Sequence, residues 1–278
     1  MTVATTHDLT FSEHTVTKRY RRWSNGEPQR EWEALTLIHA NAPHLVPAPL
    51  SWELDAEPPH IVMSRLPGEP VGSRSAVSDA CLDAVAHAVD SFHHVLPTAT
   101  LDASSPRRWG PTTAVDEVRS WAVETLAMPL DRRHSPEVRR ALTDGVAWIT
   151  SSDVRRLESR EPHVVFGRGD GNVANLLWDG HQVRLVDFED AGVSDRSFEL
   201  ADLAEHVSTW VAAGVDVDRL LDRFTLTARD RARVTQYRRL FGLFWLLMLL
   251  PGNPAAWRNP DGTLDRQAAR LSALLGSV

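Results

Sequence analysis

Lysine and cysteine are nearly missing from this 278-residue sequence, and it contains no long apolar run. The single cysteine, Cys81, has no partner for an internal disulfide, and no Cys-x-x-Cys or His/Cys cluster offers a structural metal site. It falls in a stretch that reads as helix, Ser78–His94, where a packing role is expected rather than a nucleophilic one. The most apolar segment, Leu240–Pro251, is too short to span a bilayer and reads as a buried C-terminal helix. Met1–Asp8 lacks the apolar core of a secretion signal. A cytoplasmic protein without a membrane partner is therefore expected. Positive charge is also in deficit, with a net charge of −7. Binding to nucleic acid or an anionic membrane needs clustered positive charge, so neither is an expected partner, whereas a cationic small molecule is compatible.

The lysine deficit is the most telling. Of 30 basic side chains, one, Lys18, is a lysine. Where charge and solvation alone matter, this chain uses arginine. A position that keeps lysine points to a need for a compact ammonium on a flexible stem, which a planar guanidinium does not replace.

The length exceeds a usual single core, so one large domain or two lobes around a cleft is expected. Residues 1–20 read as extended, with a polar turn at Ser12–His14 and with Val16, Lys18 and Tyr20 on one face by period-two alternation. Pro28 opens a helix to about Ala40, on which Glu31, Leu35 and Ile38 share a stripe. Glu31 is either a buried partner for a cation or an exposed residue at the helix start. Pro47-Ala-Pro49 ends this unit, His60–Ser64 reads as a further strand, and Leu66-Pro-Gly68 is the best boundary, giving lobes 1–68 and 69–278. Beyond it the pattern is mainly helical: Ala76–Val95, Thr113–Met128, Pro136–Arg156, Phe198–Ala213, Asp216–Arg223, Ala228–Leu250 and Leu264–Leu275. Strands are expected at Pro162–Phe166, Leu176–Trp178 and Val183–Val186, the last two joined by a turn at Asp179-Gly180. The outline is an α+β chain with a small β-rich lobe carrying one key helix and a large, mainly helical lobe.

Chemistry concentrates in Arg168-Gly-Asp170-Gly-Asn-Val-Ala-Asn175 and Leu185-Val-Asp187-Phe-Glu189. Phosphoryl transfer from ATP needs a carboxylate to orient or accept the proton of an attacking hydroxyl, and oxygen ligands for a magnesium ion that bridges the phosphates. Asp170 suits the first role; Asn175 and Asp187 suit the second, with Glu189 close enough to be an accessory metal ligand. Kinase sites combine such a set with a strand lysine paired to a helix glutamate, the parts that Lys18 and Glu31 would supply.

These motifs resemble the aminoglycoside phosphotransferase/choline kinase superfamily. Its loop reads H-G-D-x-x-x-x-N, matched by Arg168-Gly169-Asp170 and Asn175 except at the first position; Asp187-Phe-Glu189 looks like choline kinases, and Phe198-Glu199-Leu-Ala201 stands where the family commonly has D-L-A. Met63-Ser-Arg-Leu-Pro67-Gly68 is similar to the family hinge, which implies that the Ser64 carbonyl and Leu66 N–H meet adenine. The resemblance runs from Val16 to Ala201 and implies a two-lobed protein-kinase-like fold. It implies an ATP- and Mg²⁺-dependent transfer of the γ-phosphate to a hydroxyl of a small molecule. The expected acceptor is an aminoglycoside or amino sugar, with a choline-like amino alcohol as the alternative.

The sequence departs from the pattern in three places. Arg168 replaces the family histidine and would support the loop; Glu199 stands where an aspartate usually braces it, with Asp202 as the other candidate. No glycine precedes Lys18, so the phosphate-covering hairpin is shortened or absent, with Phe11–His14 left as a candidate cap. These departures keep open a second class, a non-catalytic nucleotide-binding protein on a kinase-like scaffold. Glu189, Asp190, Asp195, Asp202 and Glu205 either bind a cationic substrate or form a solvated face and turn. Trp210, Trp245 and Trp257 line an ammonium or sugar pocket or pack a core.

Overall fold

The alternation along Thr15–Tyr20 is realised as a strand on which Lys18 and Tyr20 are buried while Arg19 between them is exposed. It joins β1 (His7–Phe11), β2 (Thr15–Tyr20), β3 (Pro49–Glu53) and β4 (His60–Ser64) in one antiparallel sheet of order β1-β2-β4-β3. The register sets Lys18 against Leu9 on one side and Ile61 on the other. The computed structural model describes residues 7–73, 77–127, 134–151, 154 and 162–276. Helix α1 (Glu27–Asn41), with proline in its first turn, covers the sheet with Glu31, Ala34, Leu35 and Ile38 buried. Strand β3 is not expected from the sequence because prolines flank it. It is an edge strand, and Pro49 is tolerated there because no inner partner needs its missing N–H.

After Ser64 the chain crosses through Leu66–Gly68 and forms β5 (Glu69–Pro70), then α2 (Asp79–His93), whose N-cap Ser78 accepts a hydrogen bond from the Cys81 N–H. Next come α3 (Thr98–Asp102), α4 (Pro111–Ala127) and α5 (Pro136–Ile149). The C-terminal parts expected for the two longer helices, Met128 and most of 152–156, lie outside the described residues, as do the first six residues of the chain.

Strand β6 (Val164–Gly167) leads into the Arg168–Asn175 loop, which ends in a single 3₁₀ turn, Val173–Asn175. The expected hairpin follows as β7 (Leu176–Trp178) and β8 (Val183–Leu185), with β5 added to form a sheet of order β5-β7-β8. A strand not expected from sequence, β9 (Gly192–Asp195), pairs antiparallel with β6. It returns the chain alongside the strand that enters the loop.

Helix α6 (Arg196–Glu205) is buried along its whole length. The sequence suggests one helix over Phe198–Ala213; instead it stops at His206, whose ψ of 133° is extended, and resumes as a π turn over Ser208–Ala212. The remaining helices are α7 (Val217–Leu221), α8 (Ala228–Met248), α9 (Pro254–Arg258) and α10 (Thr263–Gly276). No helix among the described residues is long and apolar enough to cross a membrane.

Two cores hold this together. One is continuous from Tyr20, Leu35 and Ile38 of the small lobe through Phe92, Phe166, Leu176 and Leu185 beneath the loop; the other fills the space between α4, α5, α6, α8 and α10 around Phe198 and Phe241. The lobes are also stitched by the Leu185 N–H, which donates to the Leu45 carbonyl at 2.8 Å. Cys81 is buried in the first core, where burial pushes its thiol up to about 11.

His93, near the end of α2, is buried under the loop and its Nδ1 has no hydrogen-bond partner among the described residues. Burial pushes its pKa down to about 4; Glu199 and Asp90 oppose the shift, and Arg196 and His94 assist it. Below its ordinary titration the unfolded chain therefore binds a proton there that the folded chain does not, so stability rises with pH through this range. The wild-type protein is expected to lose about 2 kcal/mol more than His93→Leu between pH 7 and pH 5 in urea unfolding. Equal losses in the two proteins would mean that His93 is not held neutral.

Candidate active site

The cleft between the lobes has a volume of about 510 Å³ and is walled by His7, Phe11, Val16 and Lys18 above and by Asn175, Leu177, Val186 and Asp187 below. The Ser64–Gly68 segment closes one end. Ser64 is locked by its neighbour strand: its N–H donates to the Ala48 carbonyl at 2.9 Å and its Oγ accepts from the Ala48 N–H at 2.8 Å. Ser64 and Leu66 both line the cleft.

Lys18 lies only 2% exposed at the other end. Its Nζ contacts Glu31 Oε2 at 2.5 Å, Asp187 Oδ1 at 2.6 Å and Glu189 Oε2 at 3.0 Å. Burial alone would depress its pKa, but Asp187, Glu31 and Glu189 together hold it above the usual lysine range. Glu31 is fully buried rather than solvated at the helix start, and its Oε2 also accepts a hydrogen bond from the Tyr20 hydroxyl. Burial raises the Glu31 pKa, against the pull of Lys18. Tyr20 follows Lys18 by two residues on the same strand face, so one pleat delivers both donors to one carboxylate. Glu189, partly buried, is pushed up to about 7 by burial against the attraction of Lys18.

Asp187 is the only non-glycine residue with positive φ (71°) among the described residues. That left-handed conformation costs energy for a residue with a Cβ and turns the carboxylate back into the cleft at the end of β8. Asp187 Oδ2 lies 3.4 Å from Asn175 Nδ2, and the same amide donates to Asp170 Oδ2 at 2.8 Å. Asp170 Oδ1 accepts from the Asn172 N–H at 2.9 Å. Both oxygens of Asp170 are thus anchored, yet the side chain keeps 36% exposure.

The loop is braced from behind. Glu199 Oε2 accepts from the N–H groups of Arg168 at 3.0 Å and Gly169 at 3.4 Å. Arg168 is buried and donates from its guanidinium to the Asn172 carbonyl at 3.2 Å, closing the loop on itself. Gly169 sits at φ 86°, and a Cβ there would fall 2.2 Å from the Asp190 carbonyl oxygen, so only glycine fits.

Several residues of this site were not singled out by the sequence. Arg107, between α3 and α4, is 3% exposed and pairs with Glu199 through NH1; its NH2 donates to the Gly169 carbonyl at 2.9 Å and to Asp202 Oδ2 at 3.2 Å. Nothing in the spacing of Pro106-Arg-Arg108 marks it, because its partners lie more than sixty residues away. His7 borders the cleft opposite Tyr20 in the strand register, and burial lowers its pKa with Lys18 assisting. The Phe11–His14 turn does not lie over that end. It packs at the hinge, where the Arg65 N–H donates to the His14 carbonyl at 2.8 Å and the Arg65 side chain to the Ser12 carbonyl at 3.0 Å. Three residues of strand, about 10 Å, separate this turn from Lys18.

The acidic cluster is also resolved differently. Asp195, Asp202 and Glu205 are neither solvated nor open to a substrate; each is buried against arginine, namely Arg233, Arg107, and the pair Arg238 and Arg270. Glu189 pairs with Lys18 at 3.0 Å, and Asp190 Oδ1 lies 3.3 Å from Arg108. Of the tryptophans, Trp210 has Arg270 over its ring at 4.9 Å, Trp257 is exposed, and Trp245 packs on His206.

Burial pushes Asp202 up to about 7, with Arg107 pulling it down. Removing that arginine leaves two buried carboxylates facing each other. Arg107→Met is expected to destabilise the protein by about 3–5 kcal/mol in urea unfolding; a loss below about 1 kcal/mol would show that the brace does not depend on the ion pairs.

A model of the phosphotransferase enzyme family matches residues 7–237, which takes in the hairpin, the lysine–glutamate pair, the loop and its brace. No curated protein matches the chain as a sequence relative. Among solved structures, a choline/ethanolamine kinase family protein from Mesorhizobium loti superposes with a TM-score of 0.69 at 16% identity, covering 99% of this chain and 86% of that one. The aminoglycoside phosphotransferase APH(3'')-Id from Streptomyces rimosus gives 0.57 at 18% identity, covering 85% and 92%. The choline kinase LicA from Streptococcus pneumoniae gives 0.59 at 14%, covering 98% and 90%. At these identities the superpositions establish a shared two-lobed kinase-like fold. With the family match over most of its length, the chain belongs to the phosphotransferase enzyme family and is a small-molecule kinase.

Proposed function

We propose that this enzyme transfers the γ-phosphate of ATP to a hydroxyl of an aminoglycoside or other amino sugar. The observation that carries the reading is the convergence of Asp170 and Asp187 on the amide of Asn175, with Asp187 paired to Lys18 in a cleft also lined by the Ser64–Gly68 segment. In this reading adenine lies against the backbone of Ser64 and Leu66, and Lys18 steers the phosphates. Asp170 accepts the proton of the acceptor hydroxyl as its oxygen bonds to the γ-phosphorus; the bond to the β–γ bridging oxygen breaks and ADP leaves.

The donor set suits Mg²⁺, a hard cation that takes oxygen ligands. Carboxylate oxygens of Asp187 and Glu189 lie within 4.8 Å of each other and of Glu31, while Glu31 itself is taken up by Lys18 and Tyr20. Asp187, Asn175 and Glu189 would hold the ion. When bound it neutralises charge on the phosphates. The chain's own part is to keep Asp187 turned inward and Lys18 charged.

Support for the nucleotide comes from neighbours of the same fold solved with ADP or GDP. Support for a cationic acceptor comes from the partly exposed carboxylates of Asp170, Glu189 and Asp190, and from neighbours named for aminoglycosides and choline. A choline-like amino alcohol shares the positive charge and is the other acceptor to test. The division at Gly68 into lobes 1–68 and 69–278, and a cytoplasmic location where ATP is supplied, complete the proposal.

Asp170→Asn is expected to lower transfer by roughly 10²–10⁴-fold while the thermal shift produced by Mg-ATP is retained. Asp187→Asn is expected to abolish that shift, since a ligand that no longer binds the native state no longer stabilises it. ATP consumption against aminoglycosides, amino sugars and choline measures the first, and thermal melts with and without Mg-ATP measure the second. Full turnover by Asp170→Asn would refute the base assignment.

A further inference from the structure

His206 stands where α6 ends, and its extended backbone sends the imidazole toward the loop while the following residues wind into a π turn, a distortion often found at functional sites. The ring lies with its edge against Trp245 at 4.7 Å, and its side chain is 15% exposed. Its Nδ1 accepts the Ser208 N–H at 3.1 Å and lies 2.6 Å from Ser208 Oγ. A backbone N–H only donates, so Nδ1 carries the lone pair, and the proton of the neutral ring must sit on Nε2. That Nε2 lies 3.8 Å from Asp170 Oδ1. Ser208 Oγ in turn accepts the Val173 N–H at 3.1 Å, which leaves its own hydrogen to donate to His206 Nδ1. The pair His206–Ser208 therefore holds the loop at Val173 and places the His206 Nε2 beside Asp170.

We propose that His206 is a positioning residue for Asp170: Ser208 fixes its tautomer, and its Nε2–H holds Oδ1 so that the carboxylate stays aimed at the acceptor hydroxyl. The inference rests on the reading of Asp170 as the base. Burial pushes the imidazole down to about 4, with Asp170 opposing and Arg168 assisting, so the ring is neutral in the working range. At 3.8 Å the contact in the free enzyme is longer than a hydrogen bond, and such contacts tighten in the reacting complex. Without His206, Asp170 keeps the Asn172 N–H and the Asn175 amide. The loop then survives, but one oxygen gains freedom, and small misplacements of a reacting group cost of order 10²-fold in rate.

Two measurements test this. Nitrogen-15 NMR of the histidine rings in the wild-type protein, with His206 assigned by its loss in His206→Leu or His206→Gln, is expected to show Nε2 protonated and Nδ1 bare near neutral pH. The Nε2 resonance should move in Asp170→Asn. An Nδ1–H tautomer, an imidazolium, or an Nε2 signal indifferent to Asp170→Asn overturns the proposal. This arm needs no acceptor, so its result stands even if no phosphate transfer is found, an outcome that would count against the proposed function alone. In the second arm, ATP turnover with the best aminoglycoside, amino sugar or choline acceptor is compared among the variants. His206→Leu is expected to lower kcat roughly 10- to 100-fold with KM for Mg-ATP within about twofold, and His206→Gln, which restores an N–H donor, to recover most of it. Unchanged kcat in His206→Leu, or no recovery in His206→Gln with the Mg-ATP thermal shift intact, overturns it.

Discussion

Lys18 carries a positive charge into a place nearly without water, and it is tolerated there because three carboxylates from two lobes surround it. Glu31 comes from α1 of the small lobe, while Asp187 and Glu189 come from the segment after β8 of the large one. The ammonium is therefore both a site group and the point at which the lobes are electrostatically joined. Removing the lysine would leave three carboxylates facing one another with no counter-charge in a low-dielectric setting, where such defects are costly. Tyr20 completes the arrangement by satisfying Glu31 from the same strand. A guanidinium is a poor substitute, because a planar fork of five donors does not converge on three oxygens around one nitrogen.

The large lobe solves the opposite problem with arginine. Asp195, Asp202, Glu199 and Glu205 all lie on or next to a helix with no exposed face, and each is matched by an arginine from another element. A guanidinium suits these sites because it bonds two or three oxygens in fixed directions; Arg107 links Glu199, Asp202 and the Gly169 carbonyl in this way. The Arg168–Asn175 loop thus rests on a charged scaffold rather than on apolar packing alone, while Phe188, stacked on Phe92 at 5.7 Å, seals the apolar side.

Much of this is visible in the linear chain. Period-two alternation places Val16, Lys18 and Tyr20 on one face, and the Asp170, Asn175 and Asp187 spacing survives because all three sit within one loop and one hairpin, where local geometry dominates. The strands hidden from a linear reading are the ones that local pattern serves worst: β3 lies at an edge between prolines, β5 spans two residues, and β9 spans four and starts at a glycine. The helix expected through Ala213 breaks at His206 because the polar side chains of His206, Ser208 and Thr209 find backbone and loop partners better than a continued α-helix would supply.

Residue type and short spacing bring out the Asp170, Asn175 and Asp187 set and the special standing of the one lysine, and the kinase-like fold follows from the family resemblance these motifs carry. Folding in three dimensions settles the rest: Glu31 is buried on Lys18, Asp202 and Glu205 belong to internal ion pairs, Phe11–His14 packs at the hinge, and Arg107 and His206 back the loop. These outcomes depend on contacts between residues many tens of positions apart, and a charged side chain looks the same in sequence whether water or another charge awaits it.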